Sequence, residues 1–154
     1  MAPATFPAIA LPDLEGHPRP LQGAWSGGRA LILVGHGDCG TTRETLPYLD
    51  RIHRRCKAGA TVVLVLQDDR EAARALVNER SLDVPVRLEP DPYPLARALD
   101  LVAVPTLYLV EPGGGIDRVS IGLRRSDLEA FAARLGAPGP LFTPEDRGRE
   151  FRPG

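Results

Sequence analysis

Cys39 is the residue whose type and position best suit chemistry. It follows Gly35-His36-Gly37-Asp38, a segment leading out of an apolar run that ends at Val34, and it stands immediately before a helix-forming stretch. A sulfur at that point lies near backbone N–H groups that have no partner inside the helix and at the positive end of the helix dipole. Both features favour thiolate. A free thiol with a pKa of about 8.5 is only a few per cent ionised at neutral pH, and a helix N-terminus can lower that value to about 7 or below. Asp38 opposes ionisation by its charge, whereas His36 and Arg43 favour it where they face the sulfur. Thr42, one helical turn on, offers a hydroxyl to the thiolate.

The remaining chemistry-bearing residues carry weaker signals. Cys56 lies further along the same helical stretch, about 25 Å from Cys39 by helix rise, against a Cα separation below about 7 Å in a disulfide. Its place on the apolar face predicts a buried structural cysteine. His17 and His53 have no comparable setting, and the cysteines and histidines lack zinc-site spacing. Gly113-Gly114-Gly115 lacks the strand-to-helix context of a nucleotide loop and reads as a hairpin turn. The basic run Arg51, Arg54, Arg55 and Lys57 reads as the solvated side of a helix. No metal and no cofactor is expected.

The elements that must position Cys39 can be read around it. Prolines and glycines, 16 of each, cluster between periodic segments. Ala30-Leu31-Ile32-Leu33-Val34 is apolar throughout, as in a central strand covered on both faces. Residues 41–57 repeat Leu46, Leu49, Ile52 and Cys56 at helical spacing, with Pro47 as an expected kink and with Arg43, Glu44, Asp50, Arg51, Arg54 and Arg55 on the exposed side. A second apolar strand spans residues 61–66, and Asp68 with Glu71 reads as the capping pair of a helix over residues 71–80. Parallel strands need crossovers of that length, so the core of the sheet is expected to be parallel.

A short strand near residues 86–88 and a helical turn near 94–99 follow. Val104-Pro105 then leads into a strand over 106–110, which a glycine-rich turn joins to residues 116–121 as an antiparallel hairpin. Ser126 and Glu129 form a capping-box pattern, and Leu128, Phe131, Ala132 and Leu135 draw the apolar stripe of a last helix. The divisions expected are an N-terminal extension packed on the domain (residues 1–25), a core (26–136) and a C-terminal tail (137–154). That tail is too polar to build a core of its own, although Phe142 and Phe151 could pin it to the domain.

Taken in order, Leu31-Ile32-Leu33-Val34, Cys39-Gly40-Thr41-Thr42, a helix carrying Leu46-Pro47, and Val104-Pro105-Thr106 resemble the active-site segment and cis-proline loop of thioredoxin-like proteins. The match is closest to the redoxin branch, the TlpA-like thiol oxidoreductases and their AhpC/TSA-type relatives, and runs over about residues 6–135. It implies an α/β thioredoxin-like fold, a central mixed β-sheet flanked by helices, with an N-terminal extension and a C-terminal tail. It further implies that Cys39 is the attacking thiol, and that a cis bond before Pro105 exposes the Val104 backbone for an extended peptide beside Asp38 and Cys39. The departures are specific. Thr42 stands where the family's CxxC motif has its resolving cysteine, Asp38 replaces the usual tryptophan, and Leu33 replaces an interior acid. His36 occupies the place of the peroxiredoxin threonine.

The implied activity is monothiol thiol-disulfide exchange at Cys39, with a low-molecular-weight thiol or a second protein resolving the intermediate. The alternatives are a redox-inactive adaptor using the same groove and a one-cysteine peroxidase. A chain of 154 residues with 43% hydrophobic content fits one domain. Its formal charge of −1, from 19 basic and 20 acidic residues, gives no field to gather nucleic acid or anionic membrane, and neither partner is expected. The first residues lack a basic stretch followed by a long apolar one, and with only two cysteines the chain reads as cytoplasmic.

Overall fold

The structure, a computed structural model, describes residues 3–154. Its frame is a five-stranded sheet of β3 (Ala30–Gly35), β4 (Thr61–Leu66), β5 (Val86–Leu88), β6 (Thr106–Val110) and β7 (Ile116–Ile121), in the spatial order β5-β4-β3-β6-β7. β3 is central, parallel to β4 and antiparallel to β6. The sheet is therefore mixed. Alternate residues of β3 serve opposite faces, which is why its sequence is apolar without interruption. Leu31 and Leu33 join one cluster with Leu46, Leu49 and Ile52 of α1 (Gly40–Arg55), Leu76 of α2 (Arg70–Glu79), and Leu128 and Phe131 of α4 (Arg125–Arg134). Ala30, Ile32 and Val34 join the other, with Leu95 of α3 (Pro94–Ala98) and with Phe6, Leu11, Leu21 and Trp25.

The segment before β3 thus completes the second face. It forms a small antiparallel hairpin, β1 (Ala10–Pro12) with β2 (Pro18–Pro20), and a 3-10 turn over Leu21–Ala24. Phe6 meets the rings of Trp25 and Tyr108 edge-on, at 5.5 and 5.4 Å between centroids. Buried Glu89 fixes the start of α3 by accepting from the Ala96 N–H at 2.9 Å, while Gln67 donates to its other oxygen at 3.0 Å.

Four local expectations are corrected. Asp50 does not face solvent: it is buried and accepts from the N–H groups of Asp83 and Val84 at 2.8 and 2.9 Å, tying α1 to the loop before β5. The cap of α2 is Asp69, which accepts from Ala72 N–H, because Asp68 is engaged elsewhere. Ser126 and Glu129 do not close a capping box; Glu150, from the far end of the chain, accepts the Ser126 N–H instead. Cys56 is only partly buried, at the C-terminal end of α1, where its S–H is within 3.3 Å of the His53 carbonyl. Pro47 lies inside α1 and cannot donate to the Arg43 carbonyl. Arg80 reaches that oxygen from α2 at 3.5 Å.

The tail runs back over the domain. Leu141 is buried, Phe142 packs on Tyr48 at 4.4 Å, and Asp146 holds Arg51 while accepting from Thr143 N–H. The chain then pairs β9 (Phe151–Arg152) antiparallel with β8 (Leu123–Arg124), the two residues immediately before α4. Among the described residues no helix is long and apolar enough to cross a membrane.

Candidate functional site

Cys39 is the N-cap residue of α1, in extended conformation, with the first turn of the helix opening directly beyond it. The loop that delivers it is held at three points. Both oxygens of buried Asp68 accept from Gly37 N–H at 2.9 and 3.0 Å, which explains why Asp68 does not cap α2. Arg43 donates to the Gly37 carbonyl at 2.6 Å, and the Cys39 N–H closes a turn onto the His36 carbonyl at 3.0 Å. The Cys39 thiol is partly exposed, and its S–H donates to the Val104 carbonyl at 3.4 Å. The Val104–Pro105 peptide is cis. Pro105 is buried and its carbonyl accepts from Gly122 N–H at 2.8 Å, which joins the proline loop to the start of β8.

Thr42 lies under the sulfur, fully buried, with its hydroxyl accepting from His36 N–H at 3.4 Å. Gly35 leaves it room, since a side-chain carbon there would stand 2.7 Å from the Thr42 methyl. Burial pushes the Cys39 thiol up, but the Thr42 N–H, the Thr42 hydroxyl, the Thr41 N–H and the Arg152 guanidinium act the other way. The thiol is held below its ordinary value. On ionisation the sulfur loses the proton it gives to Val104, and that carbonyl becomes a like-signed neighbour. The thiolate is then best served by the Thr41 and Thr42 donors.

His36 and Arg43, the basic residues nearest in sequence, are turned to other partners. His36 Nδ1 accepts from Asp38 N–H at 3.1 Å and lies 3.8 Å from both the Asp38 and Asp68 carboxylates. Arg43 is spent on the Gly37 carbonyl. Asp38 itself points into solvent, its side chain 97% exposed. The cation that acts on Cys39 is Arg152, which sequence spacing could not have found, since it arrives from the last strand and pairs with Glu44 of α1. Cys56 lies beyond the other end of the 16-residue helix, about 25 Å away at about 1.5 Å per residue. Its thiol is pushed up by burial. A cleft of about 590 Å³ opens beside the proline loop, between Val104, Leu101 and Val102 on one side and Tyr93, Arg97 and Gln67 on the other.

This arrangement, a cysteine capping the helix after the central strand and a cis-proline loop facing it, is set on a thioredoxin-like fold. Solved structures bear out that fold. The chain superposes on the thioredoxin domain of a thiol-disulfide oxidoreductase from Bacteroides vulgatus with a TM-score of 0.76 at 24% identity, over 88% of this chain and 98% of that one. A thiol:disulfide interchange protein from Bacteroides sp. gives 0.76 at 24% identity, over 88% and 90%. StoA from Bacillus subtilis gives 0.69 at 16% identity, over 84% and 98%. No family model matches the chain. No curated protein matches it either.

Proposed function

We propose that the protein is a monothiol oxidoreductase that exchanges disulfides through Cys39. The observation that carries this reading is the lowered Cys39 thiol, set among the Thr41 and Thr42 donors and within 3.4 Å of the Val104 carbonyl. The similar structures supply a second support, being thiol-disulfide oxidoreductases and interchange proteins by description. In the first step the Cys39 thiolate attacks one sulfur of a disulfide and bonds to it. The other sulfur leaves with the electron pair of the broken bond and takes a proton from solvent. Thr42 cannot attack the resulting mixed disulfide as a second cysteine would, and Cys56 is at the wrong end of α1. A second thiol must therefore enter, take the bound sulfur and return Cys39 as thiolate.

The test is incubation of a Cys56→Ser protein with glutathione disulfide, read by intact mass. One glutathione per chain is expected, absent when Cys39 is also replaced by serine. Failure of Cys39 to form an adduct above its thiol pKa would turn the reading toward a binding module in the same groove.

A further inference from the structure

An extended polypeptide reaching Cys39 would have to lie along Val104, whose backbone faces the sulfur. That place is already filled. Strand β9 pairs through Phe151 and Arg152 with Arg124 and Leu123. The Pro153 carbonyl then accepts from the Thr41 hydroxyl at 2.6 Å, in the first turn of the helix that Cys39 caps. Gly154 is pressed so closely on Val104 that a side-chain carbon at residue 154 would stand 2.0 Å from the Val104 oxygen. Two other glycines make room for the segment. A side-chain carbon on Gly122 would meet the Arg152 carbonyl at 2.7 Å, and one on Gly40 would meet the Arg152 guanidinium at 2.8 Å.

Contacts along its length hold the segment down. Glu150 binds the start of α4 through both its carbonyl and its side chain, Phe151 lies under the Arg124 guanidinium at 4.3 Å, and Arg152 pairs with Glu44. Even so, Cys39 keeps partial exposure. We propose that residues 151–154 act as a built-in occupant of the substrate groove, so that Cys39 exchanges with small disulfides of glutathione size and admits polypeptide disulfides only when this segment lifts. This deepens the exchange reading above and rests on it for the identity of the substrate. The chemistry is unchanged: the Cys39 thiolate bonds to one sulfur of the small disulfide and the other departs as a thiol after protonation.

Access follows the fraction of molecules in which the segment is lifted, so one closed about nine-tenths of the time lowers polypeptide exchange about tenfold. The experiment compares the full chain with a form lacking residues 151–154 and with Gly154→Val, all in the Cys56→Ser background. Two ratios are measured: adduct formation with oxidised insulin relative to glutathione disulfide, and alkylation by a polymer-linked maleimide relative to N-ethylmaleimide. A change in thiol ionisation moves numerator and denominator together. Both ratios should rise about tenfold on deletion, and Gly154→Val should raise them in the same direction. Ratios unchanged in both variants would overturn the inference. If no disulfide reacts in any form, the exchange reading fails, while the two maleimides still decide whether the segment screens the thiol.

Discussion

Replacing Thr42 by valine keeps the shape of a fully buried side chain and removes only its hydroxyl. The methyl that packs under Gly35 remains, as does the Thr42 N–H. What the thiolate loses is one hydrogen bond from a neutral donor to a charged acceptor, worth about 1.5 kcal/mol at the low end of its class. That corresponds to about a tenfold smaller thiolate fraction at a pH below the thiol pKa. A Cys56→Ser background isolates Cys39, and the initial rate of iodoacetamide alkylation is followed from acid to alkaline pH. The rate should fall about tenfold near pH 6 and converge with the parent on the alkaline plateau, where ionisation is complete. Thr42→Ser should restore most of the difference. Superimposable pH profiles for Thr42→Val and the parent would refute a role for the hydroxyl. A uniform loss that persists on the plateau would mean that access, not ionisation, had changed. The His36 N–H also loses its partner at 3.4 Å, so a stability cost of about 1 kcal/mol is expected alongside.

Other outcomes follow from the same geometry. Asp50→Ala leaves two backbone N–H groups of the Asp83–Val84 turn without their acceptor and should cost about 3 kcal/mol in urea unfolding. In the native protein Cys56, pushed up by burial, should alkylate more slowly than Cys39 at neutral pH, and the two should react alike once unfolded. The two thiols should also act oppositely on stability as pH rises. Cys39, lowered in the fold, contributes stability above the unfolded thiol value that is lost as pH falls through its folded value. Cys56, raised in the fold, contributes below the unfolded value and loses its contribution as pH rises through its folded one. As pH rises toward the unfolded thiol value of about 8.5 the thermal-stability deficit of Cys39→Ser relative to the parent should therefore grow. Cys56→Ser should gain on the parent only as pH rises above the unfolded thiol value of about 8.5.

How far these features could be read from sequence depended on whether their partners were local. The runs at 30–34, 61–66 and 106–110 are apolar without alternation because the sheet is covered on both faces, and that pattern is carried entirely within each strand. The stripe of α1 and the position of Cys39 before it were legible for the same reason. Asp50 was not, because a helix period cannot reveal that a loop after α2 brings two N–H donors to it. Asp68 and Asp69 are adjacent and equally fit to cap α2. Only the approach of Gly37 decides which is free to do so. The largest gap is at the C-terminus, where a two-residue strand in a polar, proline-containing segment has no periodicity to detect. Its pairing with β8 brings Arg152, 113 positions away in the sequence by the numbering of Cys39 and Arg152, into the field of the thiol.

The fate of the mixed disulfide tests the central claim most directly. Cys39 loaded with glutathione in the Cys56→Ser protein and freed of excess reagent should keep its adduct until an external thiol is added. Thr42→Cys in the same background should expel glutathione unaided and leave an internal disulfide one helical turn long. Absence of any adduct, or spontaneous discharge of the adduct from the protein that retains Thr42, would contradict a monothiol exchange centre at Cys39.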